Sequence, residues 1–399
     1  GKFAGFPEYA KSIVLDFMSD NSDPSNPTHP LVWHDGGNAF RLSTISYLYE
    51  TYFREGNANN TGITFTASEQ ELFAEGLQNH LSQNLYQLSL EDKWGESNHR
   101  FFHSMALASY ATVFGKDSAS PYFDADAAAH LQKGLDILDD ILPSIINIQT
   151  GVTTEQSFVY QRLDMGLALE AMRAVGNAGY ALANDYSVVV EKMLEFDVMS
   201  RRPGTAIADD YVSEVGDSAY GTRAGSTYLQ EAMDLGLVSD KAKYVLSKGI
   251  EGTRPDDLID YSSSGYVIFR PEYAWENIRD TRVLMDVSEH AISHGHYDNT
   301  NLIYNSFGKN ILIDSGGPYN YDRGVNEFGL GGTFKEKYFI TSKAHNVVTV
   351  NDKSFDVDTQ VNAVVDNSNF SFVSAQHNGY ADITVTRGTL LLKPGLLVV

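Results

Sequence analysis

The spacing of apolar residues changes once along the 399-residue chain, near residue 255, and that change restricts the fold to a helical part followed by a sheet part. Upstream, Leu72, Phe73, Gly76, Leu77, Leu81 and Leu85 recur at the three-to-four spacing of one helix face. Ser68-Glu69-Gln70-Glu71 ahead of them reads as a capping box. The same period predicts helices over residues 39–53, 100–114, 163–175, 186–196 and 241–248. Leu131, Leu135, Leu138 and Leu142 form a further stripe, which Pro143 is expected to end. Gly176-Asn177 and Gly249 are stop signals for two of the others. Helix after helix with polar connections, and no sharp repeat of the solenoid kind, predicts a helical barrel or incomplete α/α toroid over residues 1–252. Thr253-Arg254-Pro255-Asp256-Asp257 reads as a linker. Beyond it, residues 266–270, 282–287, 300–307, 311–314, 346–350, 370–376 and 382–392 are strand-like. Gly308-Lys309-Asn310 and Ser315-Gly316-Gly317-Pro318 supply turn signals between them. Residues 253–399 are therefore expected to form an antiparallel β domain of sandwich type. The sequence ends at Leu397-Val398-Val399 inside a strand-like run, which would leave an unpaired edge, so the sandwich is expected to be incomplete.

Composition removes several classes of function. A net charge of −23 opposes nucleic acid as a partner. The absence of cysteine excludes disulfides, iron–sulfur clusters and thiolate zinc sites. No apolar run is long enough to span a membrane. Gly1-Lys2-Phe3 carries neither a signal peptide nor an initiator methionine. The 23 tyrosines and 21 phenylalanines suit either sugar-binding surfaces or a core, and the core is the commoner use.

Three segments carry chemistry. Trp94-Gly95-Glu96-Ser97-Asn98-His99-Arg100 opens a helix. Thr153-Thr154-Glu155-Gln156-Ser157-Phe158-Val159-Tyr160 precedes another. His294-Gly295-His296-Tyr297-Asp298 lies between two strand-like runs, with Asp314 and His345 downstream. On an extended backbone His294 and His296 would share a face, with Gly295 leaving room for a close approach. Two imidazoles on one face can bind a metal, move protons, or do one of each.

In their order and spacing, the Asn98-His99 pair, the Glu155-Gln156-Ser157…Tyr160 segment, the His294-Gly295-His296…Asp314 stretch and Ala344-His345-Asn346-Val347-Val348 resemble the heparinase II/III-like polysaccharide lyases. The resemblance runs from about Trp33 to Val399. It implies an incomplete α/α toroid followed by an antiparallel β-sandwich, which agrees with the periodicity. It also implies a secreted or periplasmic bacterial enzyme whose partner is an acidic polysaccharide of glycosaminoglycan or alginate type. Such a lyase removes the C5 proton beside a uronate carboxylate and expels the 4-linked oxygen, leaving a 4,5-unsaturated end.

Carried over residue by residue, the resemblance has Asn98 and His99 neutralise the substrate carboxylate. Tyr160 would protonate the leaving oxygen and, in one stereochemistry, also act as the base; His294 would be the alternative base, on the opposite face of the sugar. It makes His296, Asp314 and His345 ligands of a structural zinc, a donor set that suits that metal. Arg100, Glu155, Gln156, Arg223 and Tyr338 are candidate substrate contacts. Asp217, in Val215-Gly216-Asp217-Ser218, is a candidate for ordering the cleft. Blander roles stand beside these. Asn98 suits a helix N-cap, Asp314 a turn, the arginines (Arg270 and Arg323 included) salt bridges, Tyr338 packing, and His296 and His345 a satisfied core. Two other functions fit the same residues: a zinc-dependent hydrolase with an open coordination position, and a non-catalytic glycan-binding or capsule-assembly protein of the same architecture.

Overall fold

The structure is a computed structural model that describes residues 5–55, 62–90, 98–177, 179–201, 213–218, 227–271, 281–290, 294–317, 338–393 and 395–399. A helical region is followed by antiparallel sheets, and contacts divide the chain into two compact units. The first comprises residues 1–145 and 170–184; the second comprises residues 146–169 and 185–399.

The first unit contains α1 (Phe6–Asp20), α2 (Asp35–Leu48, extended by a wider π-type turn over Tyr49–Phe53), α3 (Ala67–Leu88), α4 (Asn98–Phe114) and α5 (Ala127–Ile145). Aromatic residues fill its core. Phe73 meets Tyr49, Phe65 and Tyr122 at centroid distances of 4.9–5.9 Å, mostly edge-on, the favoured geometry for such pairs. Of the stripe seen in the sequence, Phe73, Gly76, Leu77 and Leu81 are on the buried face of α3, while Leu72 and Leu85 are half-buried at its margins. Its cap sits two residues earlier than the sequence suggested. Thr66 is the N-cap and Glu69 closes the box, with Glu69 N–H donating to Thr66 Oγ1 (3.3 Å) and Thr66 N–H to Glu69 Oε2 (2.7 Å). Glu69 also accepts from Lys11 at 2.8 Å, which favours this register over one starting at Ser68. Pro143 does not end α5. It lies inside the last turn, where Leu142 and Ile145 remain buried and hold the helix together past the lost hydrogen bond.

The second unit holds the short pair β1 (Ile146–Asn147) and β2 (Val152–Thr153), the first half of α6 (Phe158–Asn177), then α7 (Ser187–Ser200), α8 (Thr227–Asp234) and α9 (Asp240–Leu246). Two antiparallel sheets follow. β3 (Leu258–Tyr261), β4 (Tyr266–Phe269), β5 (Arg282–Asp286), β6 (Leu302–Ser306) and β7 (Lys309–Leu312) pair in chain order. β8 (Gln360–Asp366), β9 (Phe370–Tyr380), β10 (Ile383–Leu392) and β11 (Leu396–Val398) form the other sheet. β9 buries every second residue from Ser371 to His377, as a strand with one inward face must. Its Val373 and Ala375 join Leu391 of β10 in one apolar cluster with Val267, Phe269, Val283, Met285 and Leu302 of the other sheet. Full burial of each large member contributes about 1.5–3 kcal/mol. β5 is buried along its whole length. Residues 346–350 were expected as a strand. Their one ladder contact among the described residues is a bridge from Val350 to Lys353, because the Asn346 side chain instead donates to the carbonyls of Leu302 and Ile313. Among the described residues no helix is long and apolar enough to cross a membrane.

Candidate active site and metal centre

Residues 294–298 are not an extended strand, so His294 and His296 do not share a strand face. They share a carboxylate. Asp217 Oδ2 accepts from His294 Nδ1 at 2.9 Å, and Asp217 Oδ1 accepts from His296 Nε2 at 3.1 Å. Asp217 N–H also donates to the His294 carbonyl at 3.0 Å, fixing the two loops at backbone and side chain together. Two glycines allow this approach. A Cβ on Gly295 would stand 2.1 Å from Gln156 Oε1. Gly216 has φ +57°, and a Cβ there would meet the carbonyl oxygens of Gln156 and His294 at 2.3 and 2.5 Å. Backbone atoms cannot swing aside as a side chain can, so Gly216→Ala is expected to cost about 1–3 kcal/mol, measured as a lower urea midpoint. An unchanged midpoint would mean that the loops are not packed as described.

Tyr160, in the first turn of α6, lies flat against His294, with ring centroids 3.5 Å apart and planes 11° apart, so the two do not flank a sugar on opposite faces, as the resemblance implied, but would meet it from one side. Tyr160 is buried, and the His294 side chain keeps 15% exposure. A phenol and an imidazole stacked at the edge of solvent are two groups that can each donate or accept a proton. Ser157 and Ser218 tie the segment before α6 to the Asp217 loop: their hydroxyls are 3.1 Å apart, and Val159 N–H donates to Ser218 Oγ.

Behind this pair is a buried acidic cluster. Asp298, Asp314 and His345 present ligand atoms that all lie within 4.8 Å of one another. Asp314 Oδ2 accepts from His345 Nδ1 (2.7 Å) and Asn301 Nδ2 (2.6 Å), and its Oδ1 accepts from Gly316 N–H. Asp298 Oδ2 is buried without a hydrogen-bond partner, and so is His296 Nδ1. The His296 and His345 rings lie 5.2 Å apart. Burial, and next the nearby Asp286, push Asp298 well above the usual carboxylate range. Burial also pushes Asp286 up to about 6. Burial opposes charge on His345, but the Asp314 hydrogen bond and the Asp298 charge outweigh it and raise it to about 9. An excess of buried carboxylate over cation, with two orphaned lone-pair atoms, is a donor set that fits a metal ion. Asp298, part of the sequence motif but given no role there, belongs to this set; His296 stands beside it.

The first unit holds Asn98 and His99, at the start of α4. Asn98 is buried, and His99 Nδ1 is hydrogen-bonded to Asp35 Oδ2. One turn on, His103 Nε2 contacts Asp35 Oδ1 at 3.2 Å, and His103 Nδ1 faces Asn84 Oδ1 at 2.7 Å. Asp35 thus serves two histidines spaced i and i+4. Burial would raise its pKa, but hydrogen bonds from His103 and His99 overcome that and hold it far below the usual carboxylate range. A folded pKa below the unfolded value of about 3.9 means that Asp35 stabilises the fold above that pH. The contribution disappears as pH falls through the folded value. Thermal melts of Asp35→Asn are accordingly expected to decline less steeply than the parent between about pH 4 and pH 2. Parallel curves would refute the assigned contact. Neither Asp35 nor His103 had been singled out from the sequence.

Of the remaining candidates, Gln156 packs against Gly216 and Gly295 at the site, and the others are dispersed. Arg100 pairs with Asp140 at 3.7 Å. Glu155 is buried, near Asp164, whose carboxyl is raised by burial and then by the Glu155 charge. Gln156 adopts φ +52° and donates from Nε2 to the His290 carbonyl at 3.1 Å. Tyr338 is exposed, its ring 5.6 Å from Phe339. Arg270 is buried. Arg223, Arg323 and residues 94–97 lie outside the described residues.

Residues 253–399 match the family model described as Heparinase II/III-like, C-terminal. No curated protein matches the chain. Among solved structures, a heparinase III crystal structure superposes with a TM-score of 0.75 at 17% identity, covering 97% of this chain and 58% of that one. A heparinase III gene product with methylated lysines gives 0.68 at 17%, covering 96% and 58%. A heparan sulfate lyase from Pedobacter heparinus gives 0.66 at 16%, covering 98% and 57%. At such identities the likeness establishes the fold, and the chain spans less than two thirds of each of these structures.

Proposed function

We propose, from the place of residues 253–399 in the heparinase II/III-like C-terminal family and the heparinase III fold of the chain, that this protein is a polysaccharide lyase. It acts by β-elimination on a uronate-containing acidic polysaccharide. The observation that carries the reading is the stacked Tyr160–His294 pair, with His294 anchored through Nδ1 to Asp217. His294 Nε2 takes the C5 proton. The electron pair passes to the C4–C5 bond as the 4-linked oxygen leaves, and the Tyr160 hydroxyl protonates that oxygen. Asn98 and His99, carried over from the resemblance, are candidate donors to a uronate carboxylate, which accumulates charge as C5 loses its proton. One such donor is worth roughly 3–4 kcal/mol in comparable oxyanion sites. In this reading residues 1–252 form the toroid and residues 253–399 the sandwich, and the protein works outside the cytoplasm, secreted or periplasmic.

Asp298, Asp314 and His345, joined by His296 through Nδ1, would hold the metal, and two imidazoles with carboxylates suit zinc. A bound ion would supply positive charge that offsets the buried carboxylates and ties the 294–298 loop to residues 314 and 345. The burial of all four residues favours this structural use over a catalytic one. A panel of alginate, heparan sulfate, chondroitin, hyaluronan and ulvan tests the reading through the ultraviolet absorbance of an unsaturated uronate. A rise on at least one glycan supports it; folded protein that gives none on any of them counts against it.

A further inference from the structure

We infer that Asp217 is a positioning residue that sets the tautomers of two histidines with different tasks: His294, which takes a proton, and His296, which faces the metal. The activity arm of this inference rests on the lyase reading above; the metal and tautomer arms do not. A carboxylate only accepts hydrogen bonds, so each ring nitrogen facing it must donate. Asp217 faces Nδ1 of His294 and Nε2 of His296, one with each oxygen. The two histidines are therefore fixed in opposite tautomers. His294 carries its proton on Nδ1 and its lone pair on Nε2. His296 carries its proton on Nε2 and its lone pair on Nδ1, the buried atom that has no hydrogen-bond partner. That lone pair belongs to the ring 5.2 Å from His345.

The carboxylate has little freedom to do otherwise. It is almost wholly buried. Its backbone N–H is bonded to the His294 carbonyl. Gly317 packs so closely that an added Cβ would lie 3.0 Å from both Asp217 Oδ1 and His296 Cε1. Carboxylates behind metal-bound imidazoles orient the ring and raise its basicity, and their loss typically weakens metal binding 10–100-fold. Here one carboxylate has that relation to a metal-facing ring and to a proton-accepting ring together.

Asp217→Asn separates this role from packing. The amide is nearly isosteric, but it accepts with one atom and donates with the other, so one histidine must turn a lone pair toward it. Zinc affinity, measured by competition with a chromophoric chelator, is expected to fall about 10–100-fold. On a glycan that the parent cleaves, kcat should fall about 100-fold or more with KM little changed. Asp217→Glu, which keeps both acceptors, should recover part of each loss. Nitrogen-15 spectra of the parent protein should show Nδ1–H on His294 and Nε2–H on His296, a readout that needs no variant to fold. Zinc affinity and kcat both within about two-fold of the parent in Asp217→Asn, or the opposite tautomers in the spectra, would overturn the inference. Equal losses in the Asn and Glu variants would assign Asp217 to packing alone. If the parent cleaves no glycan, the lyase reading fails, and the zinc titration and spectra still decide the role of Asp217.

Discussion

Tyr160→Phe is expected to lower turnover about 10²–10⁴-fold, the range that a positioned general acid contributes, while leaving the melting temperature nearly unchanged. Phenylalanine keeps the ring that stacks on His294 at 3.5 Å and removes only the hydroxyl that would protonate the leaving oxygen. Because that proton moves in the transition state, the loss should fall on kcat and kcat/KM about equally, with KM little altered. Initial rates of ultraviolet product formation, paired with calorimetry, check both halves. Near-normal turnover would remove Tyr160 from the chemistry. A large drop in melting temperature would recast it as a core aromatic, consistent with its burial.

Metal removal is the second large effect. Asp286, Asp298 and Asp314 are all buried, and His345, raised to about 9 by the Asp314 hydrogen bond and the Asp298 charge, lies beside them. An ion present at about 100 times its Kd contributes about 2.7 kcal/mol to the folded state. For a unit of this size each kcal/mol corresponds to about 2–4 °C. Chelation is therefore expected to lower the melting temperature by about 5–10 °C, slowly, because the ligands are enclosed. Elemental analysis before and after chelation shows whether an ion was lost. A protein that binds no divalent ion, or that loses one with no change in melting, would contradict the structural role given to Asp298, Asp314, His345 and His296.

Much of the helical part was legible because its signal is local. The α3 stripe of Phe73, Gly76, Leu77 and Leu81 turned inward as its spacing required. The ends were less legible, since Thr66 and Ser68 are both good caps and the contact of Lys11 with Glu69 decides between them. β8 is a weaker signal: none of its seven residues is fully buried, and the alternation of Val361, Ala363 and Val365 is blurred by Val364. At the site, the His294–His296 pair was recognisable and Asp217 was a candidate for ordering the cleft, but its bridging of the two rings was not legible, because it stands 77 residues from one and 79 from the other. Asp298 has no distinguishing role in the sequence motif, and only the approach of residues 314 and 345 makes it a candidate ligand. Asp35 stands 64 residues before His99 with no local pattern to announce it.

The central claim is that Tyr160 and His294 break a glycosidic bond by elimination, so the decisive measurement is the fate of water oxygen. The glycan panel should be digested in oxygen-18 water, with products read by mass spectrometry and ultraviolet absorbance together. The account predicts absorbing, unsaturated products that carry no label from the solvent. Products that gain one labelled oxygen and do not absorb would establish hydrolysis and contradict it.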